Sequence, residues 1–177
     1  MAILNPDQWV NGGGSVGTTD GIADYNDAAT SVTPVTLTAN TWTTIPNDGQ
    51  GGFTNLNYLP SGVTKLMDTN NGHFDFAELS LGDNCFIRND FSVTPNTNNA
   101  LLELRYLLGA VGAEYTLETI IGRLDSGSGV PYRFSLIPQM IYMGDSDTKD
   151  NPIRLQIRLS TNGSLVNAGS AIGVVKR

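Results

Sequence analysis

The sequence predicts an all-β sandwich with an extended N-terminal arm. Three observations point there. Apolar residues alternate with polar ones in roughly eight to ten short runs. Clusters of Gly, Pro, Asn and Asp separate these runs, and no amphipathic helical period is sustained. Charged residues make up only 15% of the 177, and the polarity comes from uncharged Thr, Asn and Ser together with 20 Gly. That mixture suits strands and turns and is poor material for helices. The length fits one main domain, large enough to bury some 70% of its unfolded surface without staples.

Residues 1–31 stand apart as the arm. Ile3-Leu4 and Trp9-Val10 are apolar islands in a stretch rich in Gly, with Gly12-Gly13-Gly14, Gly17 and Gly21. No period of 2 or 3.6 persists there. Ordering each backbone residue costs about 1–2 kcal/mol, which such a segment cannot offset from its own contacts. It is either disordered or laid on another chain, and the isolated Trp and aliphatic pairs favour docking.

The domain is expected over residues 32–177. Val35 and Leu37 alternate with Thr36 and Thr38, and Trp42 to Ile45 is a second run closed by Pro46-Asn47-Asp48-Gly49. Residues 53–72 read as an irregular excursion with turns at 58–62 and 70–72. Phe74 and Phe76 alternate with His73 and Asp75. The strongest strand then puts Cys85, Ile87, Asn89, Phe91 and Val93 on one side. Residues 100–108 contain good helix formers, but Leu102, Leu104, Tyr106 and Leu108 alternate regularly and Gly109 stops the run, so a strand is expected. Tyr115 to Ile121, Tyr132 to Ile137 and Met140 to Met143 follow. Ile153, Leu155, Ile157 and Leu159 alternate with Arg154, Gln156 and Arg158, the pattern of a half-buried strand. Asn162-Gly163 reads as a tight turn before a last strand over 171–175. A jelly roll is the antiparallel solution for this strand number.

Composition narrows function. Ten Lys and Arg against 17 Asp and Glu leave a net charge of -7. That disfavours nucleic acid and anionic membrane as partners, because both demand a basic surface. No stretch approaches the ~20 apolar residues of a membrane span, and no secretory signal is visible at the N-terminus. The single Cys85 permits no internal disulfide and reads as a small buried hydrophobe. One Cys and one His, His73, are too few for a conventional zinc site. Asp145, Asp147 and Asp150 invite a calcium reading, but Lys149 stands where a ligand would be and no Glu closes the loop. A turn capped by Asp side chains is favoured. Asp20, Asp24 and Asp27 read as solubilising. No nucleophile elbow, P-loop or dinucleotide fingerprint is present, so no enzyme and no cofactor are expected.

One segment carries a resemblance. Gly72-His73-Phe74-Asp75-Phe76, the turn Leu79-Ser80-Leu81-Gly82-Asp83 and the long strand through Phe91 resemble jelly-roll domains of tailed-phage structural proteins. These are related in shape to the tumour-necrosis-factor-like trimers. Tyr142-Met143-Gly144-Asp145, followed by Asp150-Asn151-Pro152 and the Ile153 strand, is similar to the late part of the same domains. The likeness covers about residues 33–177. It implies a homotrimer with apolar and aromatic residues lining a shared axis. It also implies a non-enzymatic role on a virion: a cement or decoration protein on the outer capsid surface, with the major capsid protein as partner, or a fibre tip that recognises a host glycan. The short arm lacks heptads or collagen-like triplets, which fits clamping to a capsid better than a projecting stalk. Ile3, Leu4, Trp9 and Val10 are the expected anchors. Tyr106, Tyr132, Tyr142, Arg154 and Arg158 are the candidates for contacts between copies. The two arginines equally suit guarding an edge or meeting a neighbour's acids.

Overall fold

The computed structural model describes residues 20–177. The anchors Ile3, Leu4, Trp9 and Val10 lie outside the described residues. The described residues form thirteen strands and two short helices: β1 (Gly21–Asn26), α1 (Ala29–Val32), β2 (Val35–Leu37), β3 (Thr43–Thr44), β4 (Asn55–Tyr58), β5 (Met67–Asp68), β6 (His73–Phe74), β7 (Asn84–Pro95), β8 (Ala100–Leu108), β9 (Tyr115–Leu124), β10 (Tyr132–Ser135), β11 (Gln139–Tyr142), α2 (Ser146–Asp150), β12 (Arg154–Leu159) and β13 (Gly163–Val175).

Two antiparallel sheets face each other as a jelly-roll sandwich. The larger runs β10-β7-β13-β1-β4, with β11 also on β7 and β2 also on β13; the smaller runs β3-β12-β8-β9. Alternation along the strands builds the core. β7 turns Cys85, Ile87, Phe91 and Val93 inward, and β13 adds Leu165, Ile172 and Val174. From the smaller sheet come Leu102, Leu104 and Tyr106 of β8 with Leu155, Ile157 and Leu159 of β12. Phe74 closes one end, its ring 6.3 Å from both Phe76 and Tyr106. Each such side chain contributes roughly 1.5–3 kcal/mol by leaving water. The segment 100–108 is the expected strand, because its alternate residues face the core.

Three expectations need correction. The arm was expected to extend through residue 31, yet the sheet already begins at Gly21. β1 is an interior strand, paired with β13 on one side and β4 on the other. Its buried residues are Ala23 and Tyr25, and the Tyr25 hydroxyl accepts a hydrogen bond from Leu66 N at 2.8 Å. The signal is only two inward residues long, and the preceding glycines mask it. Asp27 is likewise not a solubilising acid. It is buried and accepts from both the backbone N–H and the hydroxyl of Thr30, while Asp48 N donates to its other oxygen.

The third correction is at the C-terminus. Asn162-Gly163 does precede a strand, but β13 starts at Gly163 and runs to Val175, bulging between Asn167 and Gly169. Gly169 has φ +141°, and a Cβ there would lie 2.4 Å from the Tyr25 carbonyl oxygen, so only glycine fits.

Candidate functional site

Register on the larger sheet creates a feature that no single strand shows. Met140 pairs with Phe86, Phe86 with Gly173, Gly173 with Ile22, and Ile22 with Tyr58. These five residues form one row across β11, β7, β13, β1 and β4. All point away from the core, since their neighbours Cys85, Ile87, Ile141, Ile172, Val174 and Ala23 are buried. The row is open to solvent: Met140 is 54% exposed, Phe86 39%, Ile22 47% and Tyr58 65%. The next row adds Tyr142 and Val175, which flank Asn84 and are about half exposed.

A second apolar surface lies at the flank where the sheets part. β9 is the last strand of the smaller sheet, and β10 and β11 end the larger one. Between them opens a cavity of about 360 Å³ lined by Leu104, Tyr106, Leu117, Ile121 and Leu136, with Ile137 also in its wall. Ile137 is 91% exposed and Ile120 of β9 66%. Of the lining residues, Tyr106 accepts at its hydroxyl from Asn89 Nδ2 at 2.5 Å, and the Ser170 hydroxyl donates to Asn89 Oδ1 at 2.7 Å. Burial pushes the Tyr106 phenol well above its ordinary value, only partly opposed by that bond.

The smaller sheet's outer face is built from charges that pair within the chain. Arg158 meets Glu103 with two bonds, Nε to Oε2 at 2.8 Å and Nη2 to Oε1 at 2.9 Å. Arg154 pairs with Glu114. Arg105 Nε donates to Gln156 Oε1 at 2.9 Å. The Trp42 ring lies against two of these guanidiniums, 4.3 Å from Arg105 and 4.6 Å from Arg158.

No family model matches the chain, and no curated protein does. Several solved structures share its outline. A chain of infectious bursal disease virus, Gx strain, aligns with 11% identity and a TM-score of 0.44, over 89% of this chain and 32% of that one. This chain thus spans about a third of that one. The Eiger TNF from S. frugiperda aligns with 12% identity and a TM-score of 0.46, over 90% and 93% of the two chains. The PRD1 vertex protein P5 aligns with 16% identity and a TM-score of 0.38, over 90% and 96%. These likenesses are of fold alone.

The expected contact residues fall in different places. Tyr142 is on the larger sheet's outer face beside the apolar row. Tyr132 is half-buried at the sheet edge, its hydroxyl accepting from Ser126 N. Tyr106 is a core residue instead of a contact between copies, because β8 turns it inward. Arg154 and Arg158 do lie on the solvent side, and their acidic partners come from the same chain. Among the acids weighed for calcium, Asp145 caps α2 by accepting from Thr148 N at 2.7 Å, and Asp147 accepts from Ala110 N. Asp150 pairs with Lys149. Among the described residues, no group of three or more His, Cys, Asp or Glu side chains is placed to hold a metal. Cys85 is fully buried, and desolvation pushes its thiol up to about 12, so it is unreactive in the folded state.

Phe86, Met140, Ile22, Tyr58 and Ile137 were not among the sequence candidates. Ile137 lies between β10 and β11, and only register brings the other four together.

Proposed function

We propose that this protein is a non-enzymatic structural component of a virus particle, a homotrimeric cement or decoration protein of the outer capsid surface. The observation that carries the reading is the pair of uncovered apolar surfaces on a jelly roll whose smaller sheet pairs Arg154 and Arg158 with acids of the same chain. A lone protomer has no use for such surfaces, whereas a subunit among identical neighbours does. Three copies would present three arms, and the arms would multiply weak anchoring by Ile3, Leu4, Trp9 and Val10 into strong avidity for the major capsid protein. The glycines between the anchors and Gly21 let the backbone follow a surface. The net charge of -7 suits a face turned away from packaged nucleic acid.

The test is deletion of residues 1–19. The cut must stop there, because β1 is an interior strand. The shortened protein should keep its thermal stability and its mass in solution but lose binding to particles stripped of the native protein. Undiminished binding would reject anchoring by the arm. Light scattering at micromolar concentration should give three times the 18.9 kDa of one chain.

A further inference from the structure

Among the described residues, nothing requires glycine at position 173. It lies in the middle of β13, with neighbours paired on both sides. Its φ is outside the left-handed region, so any residue suits its backbone. A Cβ placed on it would meet nothing within 4 Å. Gly163 and Gly169 of the same strand differ, since a Cβ at either would lie within 2.6 Å of a backbone oxygen. Glycine in a strand interior costs roughly 0.5–1 kcal/mol relative to alanine. A strand glycine without an internal cause marks a place where something else approaches closely.

Its position says what approaches. Gly173 is the centre of the exposed row, with Phe86 on one side and Ile22 on the other. The missing side chain leaves a notch with an apolar wall on each side and backbone for a floor. We infer that this notch takes an apolar side chain from a second copy of the chain. Met140, Phe86, Ile22, Tyr58, Tyr142 and Val175 together expose on the order of 600 Å² of side chain, at the upper end of the patches seen on monomers and near the ~800 Å² each partner gives to a standard interface. The same chain also carries side chains that stand far enough out to enter a notch: Phe53 is 87% exposed, Val111 85% and Ile137 91%. The inference rests on the trimer reading and names the face that the trimer uses.

Gly173→Val tests it, because the added methyls enter open space in the protomer but fill the notch. The variant should unfold at or above the wild-type temperature, yet associate about 30-fold more weakly, the effect of losing one central contact. Gly173→Ala, a smaller filling, should weaken association less and guards against a folding defect in the valine variant. A triple variant, Phe53→Ser, Val111→Ser and Ile137→Ser, should dissociate as well. Folded Gly173→Val that assembles like wild type would overturn the notch and leave the trimer reading standing. Unchanged mass in the triple variant would overturn the assignment to a second copy. A wild-type protein that is monomeric at every concentration would instead sink the trimer reading, and the inference with it.

Discussion

The outer faces of the two sheets solve the problem of exposure in opposite ways. On the smaller sheet, Arg158 finds Glu103 on the neighbouring strand, Arg154 finds Glu114 in the turn before β9, and Arg105 finds Gln156. Trp42 is laid over two of the guanidiniums, so even its ring is used. On the larger sheet, Met140, Phe86, Ile22 and Tyr58 stand in a row that no other described residue covers. An ion pair on that face, Arg88 with Asp90 at 3.0 Å, is off to the side of the row. A face whose groups are satisfied internally can meet water, and a face whose apolar groups are not is unfinished. With so few charged residues, their concentration on one face leaves the other free for contact.

The largest effect should come from putting charge on the unfinished face. Ile22→Asp with Phe86→Asp places two carboxylates in the row, one on either side of Gly173. Both side chains are exposed in the protomer, so its thermal midpoint should move little. Association should weaken roughly 100-fold or more, because the two sites are central and unpaired charge there would be desolvated on contact. Analytical ultracentrifugation over a concentration series reads the change. Equal loss of thermal stability and of association would mean that the row supports the protomer, and the contrast between the faces would collapse.

The mirror experiment is Trp42→Ala on the smaller sheet. It removes the ring from Arg105 and Arg158 together and uncovers the strands beneath. The expected cost is roughly 1–3 kcal/mol of protomer stability, or several degrees in midpoint for a domain of this size. Chemical denaturation measures it directly. Association should be unchanged, since this face is complete within the chain. A drop in association here would make both faces interfaces.

How far the sequence reveals this contrast depends on distance along the chain. Alternation over 85–93 and 153–159 assigns inward and outward sides correctly, because the period of two is local. Arg154 and Arg158 are legible as solvent-facing for the same reason. Their partners are not, since Glu103 and Glu114 lie on other segments and meet them only through pairing. Tyr106 shows the limit from the other side. Its alternation with Arg105 and Leu107 says which face it shares with Leu104, and an aromatic there suits a core or an axis equally. Only the closed sandwich decides for the core. The row through Gly173 is the least legible feature of all, because its members come from five strands and meet only through pairing. β1 was hidden for a composition reason: its glycine-rich approach resembles the arm.

The smallest effect is one of pH, and it isolates a single pair on the finished face. The Arg158 guanidinium, bonded to Glu103 through two nitrogens, holds that carboxyl below its ordinary value, against the opposing pull of desolvation. The folded group therefore binds its proton less readily than the unfolded one, whose pKa is about 4.3. Its contribution to stability is fully present above that value and is lost as pH falls through the lower folded value. Glu103→Gln removes this contribution at every pH. The variant should be less stable than wild type at neutral pH, and the gap should narrow below about pH 4 as wild type becomes protonated. Thermal unfolding of both proteins from about pH 2 to 7 gives the difference curve, in which the other carboxylates cancel. A gap that is constant across that range would mean that Glu103 acts through packing and not through its charge. Since the pair is closed within one chain, the neutral-pH mass of the assembly should be the same for both proteins.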